Sequence, residues 1–172
     1  RPRFLPWLAI RWQWRRAILV FGSGMLVSLV TALFVPGAYV QFGILHLIGF
    51  SIFVLSFFMW NRWLILVVGV LAFWLGYSGE PMGVEFLFYG SRGEAIDYFP
   101  VFPWIGVVAL GIFVGYLLYP AGESRFEIGS ITKTARIFNF LGRHSLLAYL
   151  IHVPILVGIF LMFGILDIVA IL

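Results

Sequence analysis

The sequence predicts an all-α protein, a polytopic bundle of about five transmembrane helices with a short interfacial helix on the cytoplasmic side. Of its 172 residues, 63% are hydrophobic and 10% are charged, and the mean hydropathy is +1.08. A soluble domain carries about 25% charged residues, so this composition lacks the polar surface that water requires. Soluble enzymes and disordered chains are therefore disfavoured as classes. Cysteine is absent, which excludes disulfides and thiolate metal ligands.

The predicted spans follow from the positions of the charged and turn-forming residues. A helix needs about 20 mostly apolar residues to cross a bilayer. No charged residue lies from Ala17 to Asn61, and Pro36-Gly37 divides this stretch into two spans. The five predicted spans are 17–35, 41–60, 63–78, 102–119 and 145–166. We expect residues 1–172 to form a single transmembrane domain.

A further helix is predicted between Ser130 and Gly142, lying on the membrane surface. Its apolar residues Ala135, Phe138 and Leu141 recur at helical spacing. Such a pattern is typical of an amphipathic helix that buries one face in the interface. Gly142 is expected to stop this helix just before the fifth span.

The distribution of Lys and Arg predicts the orientation of the spans. Cytoplasmic loops carry an excess of these residues. If successive spans alternate in direction, Arg92 alone lies on the side opposite to all the other Lys and Arg residues. The N-terminus is then cytoplasmic and the C-terminus lies outside. Because this bias explains the net charge of +4, we expect the lipid bilayer as a partner and no nucleic acid.

Two histidines within the spans are candidates for proton transfer. His46 lies about one turn inside the outer end of the second span, and His152 lies near the middle of the fifth. Polar groups inside a membrane are costly, and imidazole titrates near neutral pH. The alternative is a neutral histidine that is hydrogen-bonded to a neighbouring helix. The three histidines lack metal-ligand spacing, so no metal site is predicted.

Polar residues at the two ends of the bundle are candidates for binding. Arg143, His144 and Ser145 open the fifth span, where a helix N-terminus with cationic neighbours can hold a phosphate. Alternatively, they are only the basic flank of a span. On the outer side, Asp97 and Tyr98 end a loop with four carboxylates that can attract an amine-bearing substrate or can simply be solvated.

Three blocks of sequence point to a family. They are FGILHLIG at 42–49, DYFPVFPWIG at 97–106 and FLGRHSLLAYLIH at 140–152. In this order they resemble the bacterial and archaeal relatives of the heparan-alpha-glucosaminide N-acetyltransferase catalytic domain. The resemblance extends from Arg15 to about Ile159, and the last block is its most specific part.

The resemblance implies a helix bundle that passes an acetyl group from cytoplasmic acetyl-CoA to an acceptor at the other membrane face. In the human lysosomal enzyme that acceptor is a terminal glucosamine amine. His152 or His46 would then handle a proton or orient the substrate, with Ser145 and Tyr149 near His152. Arg143 and its helix N-terminus would bind the CoA phosphates. The resemblance also implies the inner membrane of a prokaryote.

One departure from the family keeps other hypotheses open. Family members usually begin with an additional helix pair that carries an Asp-x-x-Arg-Gly-like motif, and the catalytic histidine of the lysosomal enzyme lies in that early region. We expect this pair to precede Arg1 in a longer protein, so that His46 and His152 correspond only to motif positions. The alternatives are a non-catalytic subunit of a membrane complex or homo-oligomer, and a transporter, for which no pair of unwound half-helices is evident.

Overall fold

The computed structural model of the protein describes residues 6–34, 39–78, 97–120 and 133–163. Their helices are α1 (Pro6–Phe34), α2 (Ile44–Ser56), α3 (Arg62–Ser78), α4 (Val101–Leu118), α5 (Lys133–Arg143) and α6 (Ser145–Met162). The all-α prediction is therefore confirmed for this part of the chain. The chain divides into two compact units, Arg1–Ser124 and Arg125–Leu172, and each is described by itself.

Two of the helices are long and apolar enough to cross a membrane. These candidate spans are Ile10–Leu33 within α1 and Val101–Leu118, which is all of α4. The apolar helices α2 and α3 are shorter, with 13 and 17 residues. At 1.5 Å per residue they measure about 20 and 26 Å, less than the ~30 Å of hydrocarbon. Five spans are thus not confirmed, and the other three stay predictions.

Helix α1 begins eleven residues before the span that hydropathy predicts, and it includes Arg11, Arg15 and Arg16. Proline at its first position is compatible with a helix start, because the missing N–H would have no partner there. Arginine is also a good helix former. The Arg16 guanidinium lies 4.4 Å from the ring centroid of Trp12, one turn earlier. The change in hydropathy near Ala17 therefore does not mark the start of the helix.

Helices α1 and α2 pack antiparallel through glycine. A Cβ added to Gly49 would lie 2.7 Å from the backbone nitrogen of Phe21. At one end of the pair, the Trp14 indole N–H donates to Ser56 Oγ at 3.0 Å. Small residues at a helix seam let two backbones approach closely, as is common between membrane helices.

Helices α3 and α4 form a second antiparallel pair of the same kind. A Cβ added to Gly106 would lie 2.8 Å from the carbonyl oxygen of Gly69, and one added to Gly76 would lie 2.7 Å from Pro103 nitrogen. The Tyr116 hydroxyl donates to the Met59 carbonyl at 2.5 Å and ties α4 to the turn after α2. The buried apolar cluster of this region comprises Leu55, Ile65, Ala72, Val101, Ile105 and Ala109.

In the second unit, α5 and α6 are separated only by His144. The His144 N–H lies 3.2 Å from the carbonyl oxygens of both Phe140 and Leu141, and its own carbonyl accepts from Ala148 N–H at 2.9 Å. Hydrogen bonding thus continues through the junction. Helix α5 matches the helix predicted at 130–142, although Gly142 lies within it and does not follow its end.

Candidate functional site

The candidate site is centred on His46, in the first turn of α2. The side chain is 2% exposed and lies in the seam against α1. Its ring packs edge-on against Phe21, with centroids 5.2 Å apart, and stacks on Phe42 at 5.4 Å. A Cβ added to Gly24 would lie 3.0 Å from two atoms of the imidazole. Glycine at position 24 therefore makes the space that the ring occupies.

Neither ring nitrogen of His46 has a hydrogen-bond partner among the residues that the structure describes. A neutral imidazole has one N–H donor and one acceptor nitrogen. Buried polar groups in proteins are nearly always hydrogen-bonded, so an unpaired one needs an explanation. The prediction of a structural histidine bonded to a neighbouring helix is not supported by this geometry. Within the described residues the imidazole thus keeps one donor and one acceptor that are buried and unpaired.

The segment before α4 brings Asp97 and Tyr98 to the same end of α2. Tyr98 forms an isolated parallel bridge with Phe42, and Phe99 N–H donates to the Phe42 carbonyl at 2.8 Å. A Cβ added to Gly43 would lie 2.8 Å from Asp97 Oδ2. The structure therefore joins His46 with both residues predicted on the substrate side.

The electrostatics of this end are set by Asp97, which is half-buried. Its carboxylate interacts electrostatically with His46. Burial raises the pKa of the Tyr98 phenol above its usual value, so this hydroxyl keeps its proton at neutral pH. The end of the α1/α2 pair that holds His46 thus combines a carboxylate, a hydroxyl and an unpaired imidazole.

The opposite end of the same helices is cationic. Arg11 precedes Trp14, which contacts Ser56, by three residues, and Arg15 and Arg16 follow Trp14 by one and two residues. Arg62 begins α3 after the turn that follows α2. Within the described part of this unit, positive charge and the Asp97 carboxylate are therefore separated along the helix axes.

The remaining predicted site residues lie in the second unit. The His144 ring nitrogen Nδ1 lies 3.0 Å from the Phe140 carbonyl oxygen, and the rings of these two residues are 4.5 Å apart. His152 Nδ1 contacts the Tyr149 carbonyl one turn earlier, and the two rings are 5.1 Å apart. Arg143 and Ser145 flank His144, and all these side chains are exposed within the unit. The structure thus groups Arg143, His144 and Ser145 at one junction, while His152 lies two turns further along α6.

Metal binding finds no support in the described residues, where no three His, Cys, Asp or Glu side chains are grouped. The arrangement around His46 is instead suited to accepting or donating a proton. Sequence reasoning identified His46, Asp97 and Tyr98 but missed Phe21 and Gly24, which shape the space around the imidazole. The Gly22-Ser23-Gly24 cluster in α1 was the available signal for a close contact.

Comparison with known proteins gives a family match over most of the chain. The family model described as heparan-alpha-glucosaminide N-acetyltransferase, catalytic, matches residues 4–154. No curated protein and no solved structure matches the sequence significantly. The matched region includes the His46 site and the α5/α6 junction. The chain therefore belongs to the heparan-alpha-glucosaminide N-acetyltransferase catalytic-domain family.

Proposed function

We propose that the protein is an integral membrane acetyltransferase that moves the acetyl group of acetyl-CoA to an amine acceptor at the opposite membrane face. The observation that carries this proposal is the family match over residues 4–154, a family named for acetyl transfer to a glucosaminide amine. The acidic end of the α1/α2 pair supports an amine-bearing acceptor, because a carboxylate attracts a protonated amine.

The proposed reaction forms a C–N bond and breaks the C–S bond of the thioester. The acceptor, bound as an ammonium ion, first gives one proton to water; the free amine nitrogen then attacks the acetyl carbonyl, CoA leaves as its thiolate, and the nitrogen loses one further proton. His46 accepts that proton through the ring nitrogen that carries no hydrogen. A buried imidazole near a carboxylate is a suitable general base for this step.

Asp97 and Tyr98 would orient the acceptor at the end of α2 that holds His46. Their backbone is fixed by the bridge to Phe42, so the carboxylate and phenol are held at the first turn of α2. Arg143, His144 and Ser145 would bind the CoA phosphates, and His152 would be a second proton-handling group. We further propose a prokaryotic inner membrane location, with the cationic helix ends in the cytoplasm and the acidic loop outside.

The proposal is tested with the full-length protein reconstituted in lipid vesicles. Acetyl-CoA labelled in its acetyl group is supplied on one side and glucosamine on the other. The readouts are labelled N-acetylglucosamine and release of the CoA thiol. We expect both for the wild type, and a loss of about 10²–10⁴-fold for His46→Gln, which is the usual contribution of general acid–base catalysis.

The matched control is Ser51→Ala. Ser51 is also buried on α2, and its hydroxyl also has no partner among the residues that the structure describes. It lies five residues beyond His46 and so on a different helix face. We expect its rate to stay within about twofold of wild type, because it removes no group from the site. If the wild type showed neither acetyl transfer nor CoA release, the proposed function would be contradicted. Wild-type rates for His46→Gln would contradict the role of His46 alone.

A further inference from the structure

An apolar groove runs along the surface of the α1/α2 pair, and Phe21, which packs against His46, also lines it. Its lining includes Ile18 and Gly22 of α1 and Gly49, Phe50 and Phe53 of α2. Ile18 is 69% exposed and Phe53 is 42% exposed, so the groove is open along its length. In a membrane it faces lipid.

The groove exists because residue 22, on the surface of α1, is a glycine and has no side chain to fill it. A Cβ added to Gly22 would meet nothing within 4 Å. Ile18 lies one turn before Gly22 on the same stripe of α1, and the rings of Phe50 and Phe53 form the opposite wall. A long, flexible apolar chain fits such a channel.

An exposed cation precedes the residues of α1 that line this channel. Arg15 is exposed and lies three residues before Ile18 and seven before Gly22, which places all three on one face of α1. Seven residues of helix correspond to about 10 Å. Two indoles flank this level of the helix: Trp14, which is fixed by Ser56, and Trp12, which stacks under Arg16. Tryptophan and arginine together are typical of the membrane–water interface.

We propose that the groove binds one acyl chain of an anionic glycerophospholipid whose phosphate is held by Arg15. The apolar channel suits the chain, and the guanidinium suits the phosphate, to which it can donate two parallel hydrogen bonds. The ~10 Å between Arg15 and Gly22 suits the distance from a headgroup to the upper part of its acyl chain. The carboxylate of Asp97 lies at the far end of the helices and does not compete for Arg15.

Anionic lipid is favoured over a second protein copy by this charge. A transmembrane helix laid in the groove would offer apolar side chains to Ile18 and Phe53 but would leave Arg15 without an anion. Basic pockets between transmembrane helices commonly bind anionic headgroups. The proposal does not depend on acetyl transfer, because its test measures lipid retention and not activity.

Native mass spectrometry of the full-length protein in detergent tests the site. Phosphatidylglycerol and phosphatidylcholine with the same acyl chains are titrated separately, and the variants are Arg15→Gln and Gly22→Leu. We expect the wild type to retain phosphatidylglycerol about fivefold more tightly, the effect of one interfacial cation on an anionic lipid. Arg15→Gln removes this preference, whereas Gly22→Leu weakens the binding of both lipids because its side chain fills the groove.

Two control variants make the result specific. Arg62→Gln removes a cation from the same end of the bundle, where it lies 5.4 Å from the Trp63 ring, and Gly111→Leu adds a side chain at another open glycine. Both are expected to keep the wild-type lipid preference. Equal retention of the two lipids by the wild type would overturn the proposal. So would a Gly22→Leu variant that loses a dimer while keeping its lipid, which would assign the groove to a second copy.

Discussion

The two antiparallel helix pairs of the first unit are packed in the same way but bury different chemistry. In both pairs a glycine meets the backbone of the facing helix, Gly49 against Phe21 and Gly106 against Gly69. The seam between α3 and α4 is apolar in the part of the chain that is described, whereas the buried polar residues His46, Ser51 and Ser56 all belong to α2. Close packing alone therefore does not require polar groups, and we interpret the buried His46 in α2 as a sign that this pair carries the proposed site.

The energetic difference between the seams supports this interpretation. A buried donor or acceptor without a partner costs about 1–3 kcal/mol. Both His46 nitrogens lack a partner within the described residues, and an aliphatic side chain at position 46 would avoid that cost. A protein that keeps such a residue in a close-packed seam gains something other than stability from it. We infer that the gain is a proton-transfer group that is already desolvated and fixed by two aromatic rings.

The largest expected effect is on catalysis and comes from Gly24→Ala. The added methyl would lie 3.0 Å from the His46 ring, so the ring must move by a few tenths of an ångström. A displacement of about 1 Å can cost 10²-fold in rate, and this smaller one should cost about tenfold in the acetyl-transfer assay. Gly111→Ala, at an open position of α4, should keep the wild-type rate, and an unchanged rate for Gly24→Ala would separate His46 from the reaction.

The next largest effects come from one glycine substitution in each helix pair, compared by both stability and activity. Gly49→Ala and Gly106→Ala each place a methyl against backbone that cannot move alone, so both should destabilise by about 1–3 kcal/mol. Thermal melting in detergent measures the loss. At a temperature where both variants remain folded, Gly49→Ala should lower acetyl transfer strongly and Gly106→Ala only slightly. Equal losses of activity would show that the two seams do not differ in function.

A smaller loss of stability is expected from Tyr116→Phe, which removes the hydrogen bond to the Met59 carbonyl. Such a bond contributes about 0.5–1.5 kcal/mol. The melting temperature should fall accordingly, while the KM for acetyl-CoA and the transfer rate stay at wild-type values, since Tyr116 belongs to the apolar side of the unit. A change in KM would link α4 directly to substrate binding.

The smallest effect is expected from Ser51→Ala. The Ser51 side chain is fully buried and its hydroxyl has no partner within the described residues. The substitution therefore removes an unpaired buried hydroxyl and leaves only a small void. We expect a melting temperature equal to or slightly above that of the wild type. A clear decrease would reveal a hydrogen bond to Ser51 in the folded protein and weaken the argument from unpaired groups.

The extents of several helices could be predicted from the sequence because hydropathy and turn residues agree there. The predicted span 63–78 differs from α3 by one residue at its start, and the predicted span 102–119 differs from α4 by one residue at each end. Helix α6 begins at Ser145 as predicted. The start of α1 could not be predicted from hydropathy, because a helix can continue through Trp and Arg into the membrane interface. Helix α2 begins later than predicted, at Ile44, because residues 40–43 contact Thr31 and the 97–99 segment.

The candidate site was predictable only residue by residue. His46 could be identified because a polar side chain within an apolar span needs a reason, and Asp97 because it ends an acidic loop. Their proximity could not be predicted, since it depends on the Phe42–Tyr98 bridge between distant parts of the chain. The absence of a partner for the imidazole also depends on packing, because it follows from the rings of Phe21 and Phe42 that surround it.

The most direct test of the central claim is to measure activity and stability together in His46→Leu. Leucine has a similar volume and no polar atoms, so it removes the unpaired nitrogens while filling the seam. The account predicts a melting temperature at or above that of the wild type, with acetyl transfer reduced at least 10²-fold. A variant that melts well below the wild type and transfers acetyl at the wild-type rate would contradict it, because His46 would then be a structural residue.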